Sequence, residues 1–365
     1  MTKTIKKGGE LLGQGAYGCV FNIEFPCRKM TKGKRRRGRK YVSKVFFHKH
    51  AIREAKDEFK INAVIKKIKN YRQWCVIWDK ICRPHSYKEI YKTDKKIKEC
   101  LKKSGLSTKD FNQRSAMLVG EYGGATLDSI ISHKLSKISN EAEFLSFFKR
   151  TMKRMLPLFK GIDEIHRAGL SHSDIKRANI VLDNRSFKLI DFGLACKLSD
   201  TTELKKRTMR QYYDDRIYTP YPIDFVYAFT SDKQENVDRS AYMKGEFKNN
   251  FREYRDVHTI FFKRRHIVKS ITNFLKDTKV SRKKLFETID VYSLGYLIPK
   301  CIFSDVYRSM LSIKDVESYL NNSEIKPFIA LFKDMTRETF FNEGPRISTE
   351  EAYARFNLLV KNIDF

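Results

Sequence analysis

The chain has 365 residues, too many for one small core, and 41% of them are hydrophobic, so two lobes or domains with a sizeable core are expected. Its 27 Phe and 18 Tyr exclude a disordered chain. The net charge of +31 says nothing of fold, but it suits anionic partners: nucleotides, acidic proteins, nucleic acid or an anionic membrane.

The chain opens on MTKTIKKGGELLGQG, without an apolar stretch of leader length, and its most apolar late segment, VYSLGYLIPKCIF, is short and interrupted by Pro299 and Lys300. No transmembrane segment is expected. The seven cysteines include no CxxC pair and are odd in number, so a reduced compartment and no thiolate metal site are expected. A soluble intracellular protein, cytoplasmic or nuclear, follows.

In chain order, ELLGQGAYGCVFNIEF reads as strand, tight glycine loop and strand. KGKRRRGRK (Lys32 to Lys40) reads as a basic loop tip before a further strand, YVSKVFF. Its basic residues are those of a solvated turn or of a nuclear-import or polyanion-binding stretch. AIREAKDEFKINAVIKKIKN has a helical pattern with Glu58, Ile61, Ile65 and Ile68 on one face. Residues of about 79–114 are Lys-rich and weakly patterned and read as an insertion with some helix. SAMLVGEYGG is a strand ending in a Gly-Gly turn. A long helix follows, EFLSFFKRTMKRMLPLFKGIDEIHRAG, expected to be disturbed near Pro157. ANIVLD and FKLIDFG are short strands about a turn at Asn184. Residues of about 225–287 form a long basic insertion. ETIDVYSLGYLIPKCIF is a buried helix, and IKPFIALFKDM and STEEAYARFNLLVKN are terminal helices, the last capped by Ser348 with Glu351.

Two sets of residues carry chemistry. In the first, Gly13, Gly15 and Gly18 of GQGAYGCV let the backbone approach phosphate oxygens closely, and a strand, not a helix, follows them. Lys44 lies in an otherwise apolar strand, and a buried ammonium needs an anion. Phosphate oxygens and one helix carboxylate would serve; Glu58 is the choice and Glu54 the alternative. In the second set, LSHSDIKRANIVLD and LIDFG, Asp174 can accept a hydroxyl proton, Lys176 can stabilise charge on a transferred phosphoryl group, and Asn179 and Asp191 are hard oxygen ligands suited to Mg²⁺.

Taken in order, GQGAYGCV, VSKVF, GEYGG, HSDIKRAN, DFG, DVYSLG and GPRISTEEAYARF resemble the eukaryotic-type protein kinases. The resemblance implies an α+β, two-lobed protein-kinase-like fold. Its N-terminal lobe (1–122) would hold an antiparallel sheet plus a helix, and its larger, mainly helical C-terminal lobe would be 123–365. It implies ATP and Mg²⁺ as cofactors and a protein substrate with a Ser or Thr acceptor. Position by position, Gly13, Gln14, Gly15, Ala16, Tyr17 and Gly18 would cover the phosphates. Lys44, paired with Glu58, would hold the α- and β-phosphates. Val20, Val42 and Val181 would sandwich adenine, with Glu121 and Gly123 offering backbone groups to its edge. Asp174 would be the catalytic base, Lys176 would contact the γ-phosphate, and Asn179 and Asp191 would bind metal. Asp-x-Lys-x-x-Asn and Thr219 are similar to the serine/threonine members. The competing readings are a small-molecule phosphotransferase and a catalytically weak scaffold.

The departures are informative. Ser173 stands where the family carries Arg, so activity without activation-loop phosphorylation is expected. YPIDF replaces Ala-Pro-Glu, with Asp224 and Arg346 as an expected ion pair. Gly120 before the hinge suggests extra room behind adenine. The Lys-, Ile-, Phe- and Tyr-rich composition is similar to kinases of large nucleocytoplasmic DNA viruses. A virion-associated or DNA-associated enzyme, acting on acidic proteins or near nucleic acid, would suit the charge.

Overall fold

The structure is a computed structural model that describes residues 11–15, 18–29, 38–135, 137–183, 185–200, 202–203, 206, 221–222, 282–304, 319–337 and 345–363. The expectations for Ala16, Tyr17, the tip of the basic loop, the turn at Asn184, Thr219, Asp224 and the insertion at 225–287, apart from its last residues, lie outside the described residues. The chain divides into two compact units, one of residues Met1–Gly124 with Ile190–Leu194, the other of Ala125–Leu189 with Ala195–Phe365.

The first unit is built on β1 (Leu11–Gly15), β2 (Gly18–Phe21), β3 (Tyr41–Phe46), β4 (Trp78–Cys82) and β5 (Ala116–Glu121). They form an antiparallel sheet in the order β1-β2-β3-β5-β4. Its inner strands are apolar almost without interruption because both faces are covered. Val45, Met117 and Val119 pack on one side with Phe21, Ile97, Cys100 and Phe111, whereas Phe46, Ala116 and Leu118 pack on the other with Ala51 and Ala55. Successive side chains of a strand point to opposite faces, so adjacent residues enter different cores. Helix α1 (Ala51–Ile65) covers the second face, burying Ala51, Ala55, Glu58, Asn62 and Ile65 at helical spacing. The first face is covered by the segment read as an insertion: α2 (Tyr87–Thr93), α3 (Ile97–Lys103) and α4 (Thr108–Arg114). Asp79 to Cys82, placed in that insertion by sequence, belongs to β4 instead.

The cysteine expectation is corrected. Disulfides join Cys19 to Cys100 and Cys27 to Cys82, with Cα–Cα distances of 6.4 and 5.9 Å, while Cys75, Cys196 and Cys301 are buried and lie outside these two bonds. The partners are 81 and 55 residues apart. The packing of α3 on the sheet brings Cys100 to Cys19, and the approach of the segment after β2 to the end of β4 brings Cys27 to Cys82, so local spacing held no sign of either pair.

In the second unit, α5 (Leu127–Leu135) precedes α6 (Glu141–Arg167), which runs unbroken through Pro157. The buried stripe Phe144, Phe148, Met152, Met155, Phe159 and Ile162 continues on both sides of the proline, and its packing offsets the one backbone bond that proline removes. Helix α7 (Arg282–Pro299) is buried at Phe286, Ile289, Val291, Tyr292, Leu294 and Ile298, as its all-round apolar pattern requires. Helices α8 (Lys326–Met335) and α9 (Thr349–Lys361) close the core; Phe356 of α9 stacks on Phe159 with centroids 3.7 Å apart. Ser348 Oγ caps α9 by accepting from the Glu351 amide at 3.1 Å. Two small antiparallel sheets complete the unit: β6 (Ala125–Thr126) with β8 (Ile180–Asp183) and β9 (Ser186–Leu189), and β7 (Leu170–Ser171) with β10 (Cys196–Lys197). Strands β7 and β8 anchor the two ends of the segment His172–Asn179. Among the described residues no helix is long and apolar enough to cross a membrane.

Candidate active site

The first unit gathers Lys44, Glu58 and Asp191. Lys44 shares the parity of Phe46 on β3, so it points to the face that α1 covers. Its Nζ lies 2.9 Å from Glu58 Oε2 and 2.7 Å from Asp191 Oδ1. Glu54, the alternative partner, lies instead 2.7 Å from His48 Nε2. Trp78 of β4 donates its indole N–H to Glu58 Oε1 at 2.6 Å, so both oxygens of this buried carboxylate are occupied. Burial opposes the charge on Lys44, but Asp191 and Glu58 outweigh it and hold the ammonium above its ordinary range. Burial pushes Glu58 upward, against the pull of Lys44. An ammonium held between two carboxylates is a buried cation whose charge is compensated from more than one side.

Two glycines in this unit are required by close approach. A Cβ on Gly18 would collide with the Val45 carbonyl oxygen, because β2 lies tightly on β3. A Cβ on Gly193 would come within 3.1 Å of Asp191 Oδ1 and 3.2 Å of Glu58 Oε2, so the glycine after Asp191 makes space for the ion cluster. Gly13, Gln14 and Gly15 lie on β1 opposite Val20, Cys19 and Gly18, forming the expected hairpin, and Val42 is buried on β3. Glu121 ends β5, its Oε1 4.0 Å from Arg72, and the next residue, Tyr122, donates its amide to the Lys40 carbonyl at 2.9 Å, with Gly123 following. The room expected beside Gly120 is filled. A Cβ there would meet the Trp78 ring and the Ile77 carbonyl, each at 3.1 Å, so this glycine admits the tryptophan that braces Glu58.

The second unit gathers Asp174, Lys176 and Asn179. Asn179 Nδ2 donates to Asp174 Oδ2 at 2.8 Å and to the Asp174 carbonyl at 2.9 Å. Lys176 Nζ lies 3.1 Å from Asp174 Oδ2. Val181 is buried in β8.

This loop hangs on a residue to which the sequence reading gave no role. Asp290 of α7 is fully buried, and its Oδ2 accepts from the His172 amide at 2.7 Å and Ser171 Oγ at 3.0 Å. Oδ1 accepts from the Ser173 amide at 2.8 Å, and His166 Nε2 lies 2.9 Å from Oδ2. Burial works against the Asp290 charge, but His166, His172 and the Ser173 N–H outweigh it and hold the carboxyl below the ordinary Asp range. Only its place in DVYSLG signalled it. Ser173 has a φ of 57° and its side chain bonds Ser171 Oγ at 2.8 Å, while Tyr221 OH donates to its carbonyl at 2.7 Å. Arg346, expected opposite Asp224, donates to the Arg337 carbonyl at 2.9 Å and to Thr288 Oγ1 at 3.0 Å.

Mg²⁺ takes hard oxygen ligands. Among the described residues no group of three or more His, Cys, Asp or Glu side chains could cage a metal. Mg²⁺ does not ask for one: it takes one or two protein oxygens and completes its shell with phosphates and water. In the first unit Asp191 has a carboxylate, and in the second Asn179, whose Nδ2 makes both bonds to Asp174, has an amide oxygen. The residues fit.

The protein kinase domain family matches residues 7–216, more than half of the chain, and the chain belongs to that family. Among curated relatives it is similar to protein 040L of Invertebrate iridescent virus 3, which is named as a serine/threonine-protein kinase. The match is 30% identical over 100 residues, 25% of this chain and 30% of the relative. It is also similar to the CTD kinase subunit alpha of Saccharomyces cerevisiae, 28% identical over 103 residues, 28% of this chain and 18% of the relative. A third relative is the serine/threonine-protein kinase mos of Patiria pectinifera, 28% identical over 105 residues, 28% of this chain and 27% of the relative. These matches span less than a third of each relative's length. The α+β class with an antiparallel sheet in the first unit agrees with the family.

Proposed function

We propose that the chain is an active ATP- and Mg²⁺-dependent protein kinase that phosphorylates serine and threonine. The observation that carries this reading is the ion cluster of buried Lys44 and Glu58 with half-exposed Asp191, which is an elaborate arrangement for a scaffold. The second set, Asp174 bonded to Asn179 and Lys176, supports it.

In this reading Lys44 holds the non-reacting phosphates, braced by Glu58. Bound Mg²⁺, held by Asp191 and Asn179, would neutralise phosphate charge. Asp174 orients the acceptor hydroxyl and takes its proton as the hydroxyl oxygen bonds to the γ-phosphorus and the bond to the ADP oxygen breaks. Lys176 stabilises the charge on the phosphoryl group in flight. Protein substrates and the serine/threonine preference are supported by the names of the relatives and by the Asp-x-Lys-x-x-Asn loop.

The test is transfer of labelled γ-phosphate to an acidic protein, a basic protein and a panel of small hydroxyl compounds, followed by phosphoamino-acid analysis. Label in phosphoserine or phosphothreonine, lost in Asp174→Ala, is expected. Label in small compounds alone would establish the phosphotransferase reading instead, and no label anywhere the scaffold reading.

A further inference from the structure

Trp78 and Gly120 are partners across the outermost pair of strands in the first unit, β4 and β5. The indole ring lies against the glycine, where a Cβ would stand 3.1 Å from it. From that seat its N–H reaches Glu58 Oε1 of α1 at 2.6 Å, while Glu58 Oε2 holds Lys44 Nζ at 2.9 Å. Further along β4, Lys80 Nζ lies 2.6 Å from Glu24 Oε1 and Cys82 is bonded to Cys27, so the strand that carries the indole is itself anchored. The charged groups around Glu58 are few. Lys44 faces it from β3 and Asp191 from the segment before Gly193, β5 presents Ala116 and Leu118 to this face, and Glu54 of α1 is turned to His48. Burial and Asp191 push the Glu58 carboxyl toward its neutral form; Lys44 and the indole N–H pull the other way.

We propose that Trp78 is a positioning residue for Lys44: seated against Gly120, its indole N–H fixes the Glu58 carboxylate in the orientation that holds the lysine for nucleotide phosphates. The proposal rests on the kinase reading for what Lys44 binds. Its ground is that a buried carboxylate has two oxygens and Lys44 takes one of them. Without a donor at the other, the carboxylate is a buried ion with an unsatisfied acceptor; it turns away or takes up a proton, and either loosens Lys44. Gly120 is the second half of the device. A side chain there would meet the Ile77 carbonyl and the indole, and only the indole is free to give way. A change at Gly120 therefore reaches Lys44 through Trp78 and Glu58. Nucleotide binding should also have an acid limit set at Glu58, because the protonated carboxyl no longer attracts the ammonium.

The test measures binding of a fluorescent, non-hydrolysable ATP analogue with Mg²⁺ to the full chain from neutral to acid pH, with thermal melts to confirm folding. Trp78→Phe keeps an aromatic ring on β4 but no N–H. It should weaken binding at neutral pH by roughly tenfold, the size of one hydrogen bond to a buried charge. Its acid midpoint should lie above that of wild type: the charged form of Glu58 has lost a donor, so the carboxyl takes up its proton at higher pH. Gly120→Val should weaken binding similarly, and in the double variant it should add little to Trp78→Phe, because the two act through one contact. Unchanged binding and midpoint in Trp78→Phe, or fully multiplicative effects in the double variant, overturn the proposal. A second arm does not depend on nucleotide. The chain has 2 Trp, so in Trp74→Phe the indole of Trp78 is the sole emitter. A protonated carboxyl quenches an indole more strongly than a carboxylate, so its emission should titrate, and the titration should vanish when Glu58→Gln is added. If wild type binds no ATP analogue, the kinase reading has failed separately. The emission then decides the Trp78–Glu58 link: a titration that depends on Glu58 supports it, and none, or one that persists in Glu58→Gln, overturns it.

Discussion

Asp290→Asn is the most informative single substitution at the catalytic loop. The aspartate receives three donors at Oδ2, from His172 N, Ser171 Oγ and His166 Nε2, and one at Oδ1, from Ser173 N. An asparagine can keep its oxygen at the first position only by turning its NH₂ toward the Ser173 N–H. One charge-assisted bond is lost and a buried amide is left without an acceptor, which costs about 3 kcal/mol. For a unit of this size that lowers the melting temperature by roughly 6–12 °C. The same amide immediately precedes Asp174, so kcat should fall, by about 10²-fold if the carboxylate moves by about 1 Å, with a smaller change in KM. The acid side gives an independent check. The folded-state pKa of Asp290 lies below the ordinary Asp value of 3.8. Its contribution is therefore present above that value and is lost as pH falls through the lower folded pKa. Wild type should lose stability more steeply there than Asp290→Asn. Thermal melts across the pH range and steady-state kinetics measure all of this. An Asp290→Asn protein with wild-type melting temperature and kcat would refute the reasoning.

The serine in place of arginine at 173 makes a further expectation concrete. Its hydroxyl and carbonyl are engaged by Ser171 and Tyr221 without a phosphate, so phosphatase treatment should leave turnover unchanged, while Tyr221→Phe should reduce kcat severalfold; a large loss on dephosphorylation would contradict this. Glu58→Gln removes one of the two carboxylates holding Lys44, and should raise the KM for ATP and lower kcat together, roughly 10-fold or more in kcat/KM; unchanged steady-state constants would count against the cluster's role. Denaturing alkylation of air-oxidised protein should modify three thiols, Cys75, Cys196 and Cys301, and peptide mapping should recover Cys19 with Cys100 and Cys27 with Cys82; seven modified thiols would contradict the pairing.

The candidate site residues could be picked out in the sequence because the proposed phosphoryl transfer would demand particular side chains at short, ordered spacings. Lys44 in an apolar strand announces a buried cation, and Asp174, Lys176 and Asn179 sit within six positions. What long-range packing decides was not legible. The choice between Glu54 and Glu58 depends on the turn of α1 and on Trp78, twenty residues beyond Glu58, reaching back to it. Gly120 suggested space because a sequence cannot show what stands opposite a missing side chain. The Cys19–Cys100 disulfide depends on a helical segment folding over the sheet and Cys27–Cys82 on the pairing of chain segments beside β4, and a weakly patterned, Lys-rich run gave no sign that its first residues form a strand. Asp290 lies 116 residues after Asp174, and only the fold makes them neighbours in function.

The central claim is that Asp174 takes part in moving phosphate from ATP to a protein hydroxyl. A single-turnover measurement of labelled phosphate transfer to a serine peptide, comparing wild type with Asp174→Asn at saturating Mg-ATP and with nucleotide binding measured on both, tests it most directly. The account predicts phosphoserine from wild type, and a variant that binds ATP normally while its transfer rate falls by about 10²-fold or more. Equal transfer rates in the two proteins, or ATP binding without transfer in wild type, would contradict it.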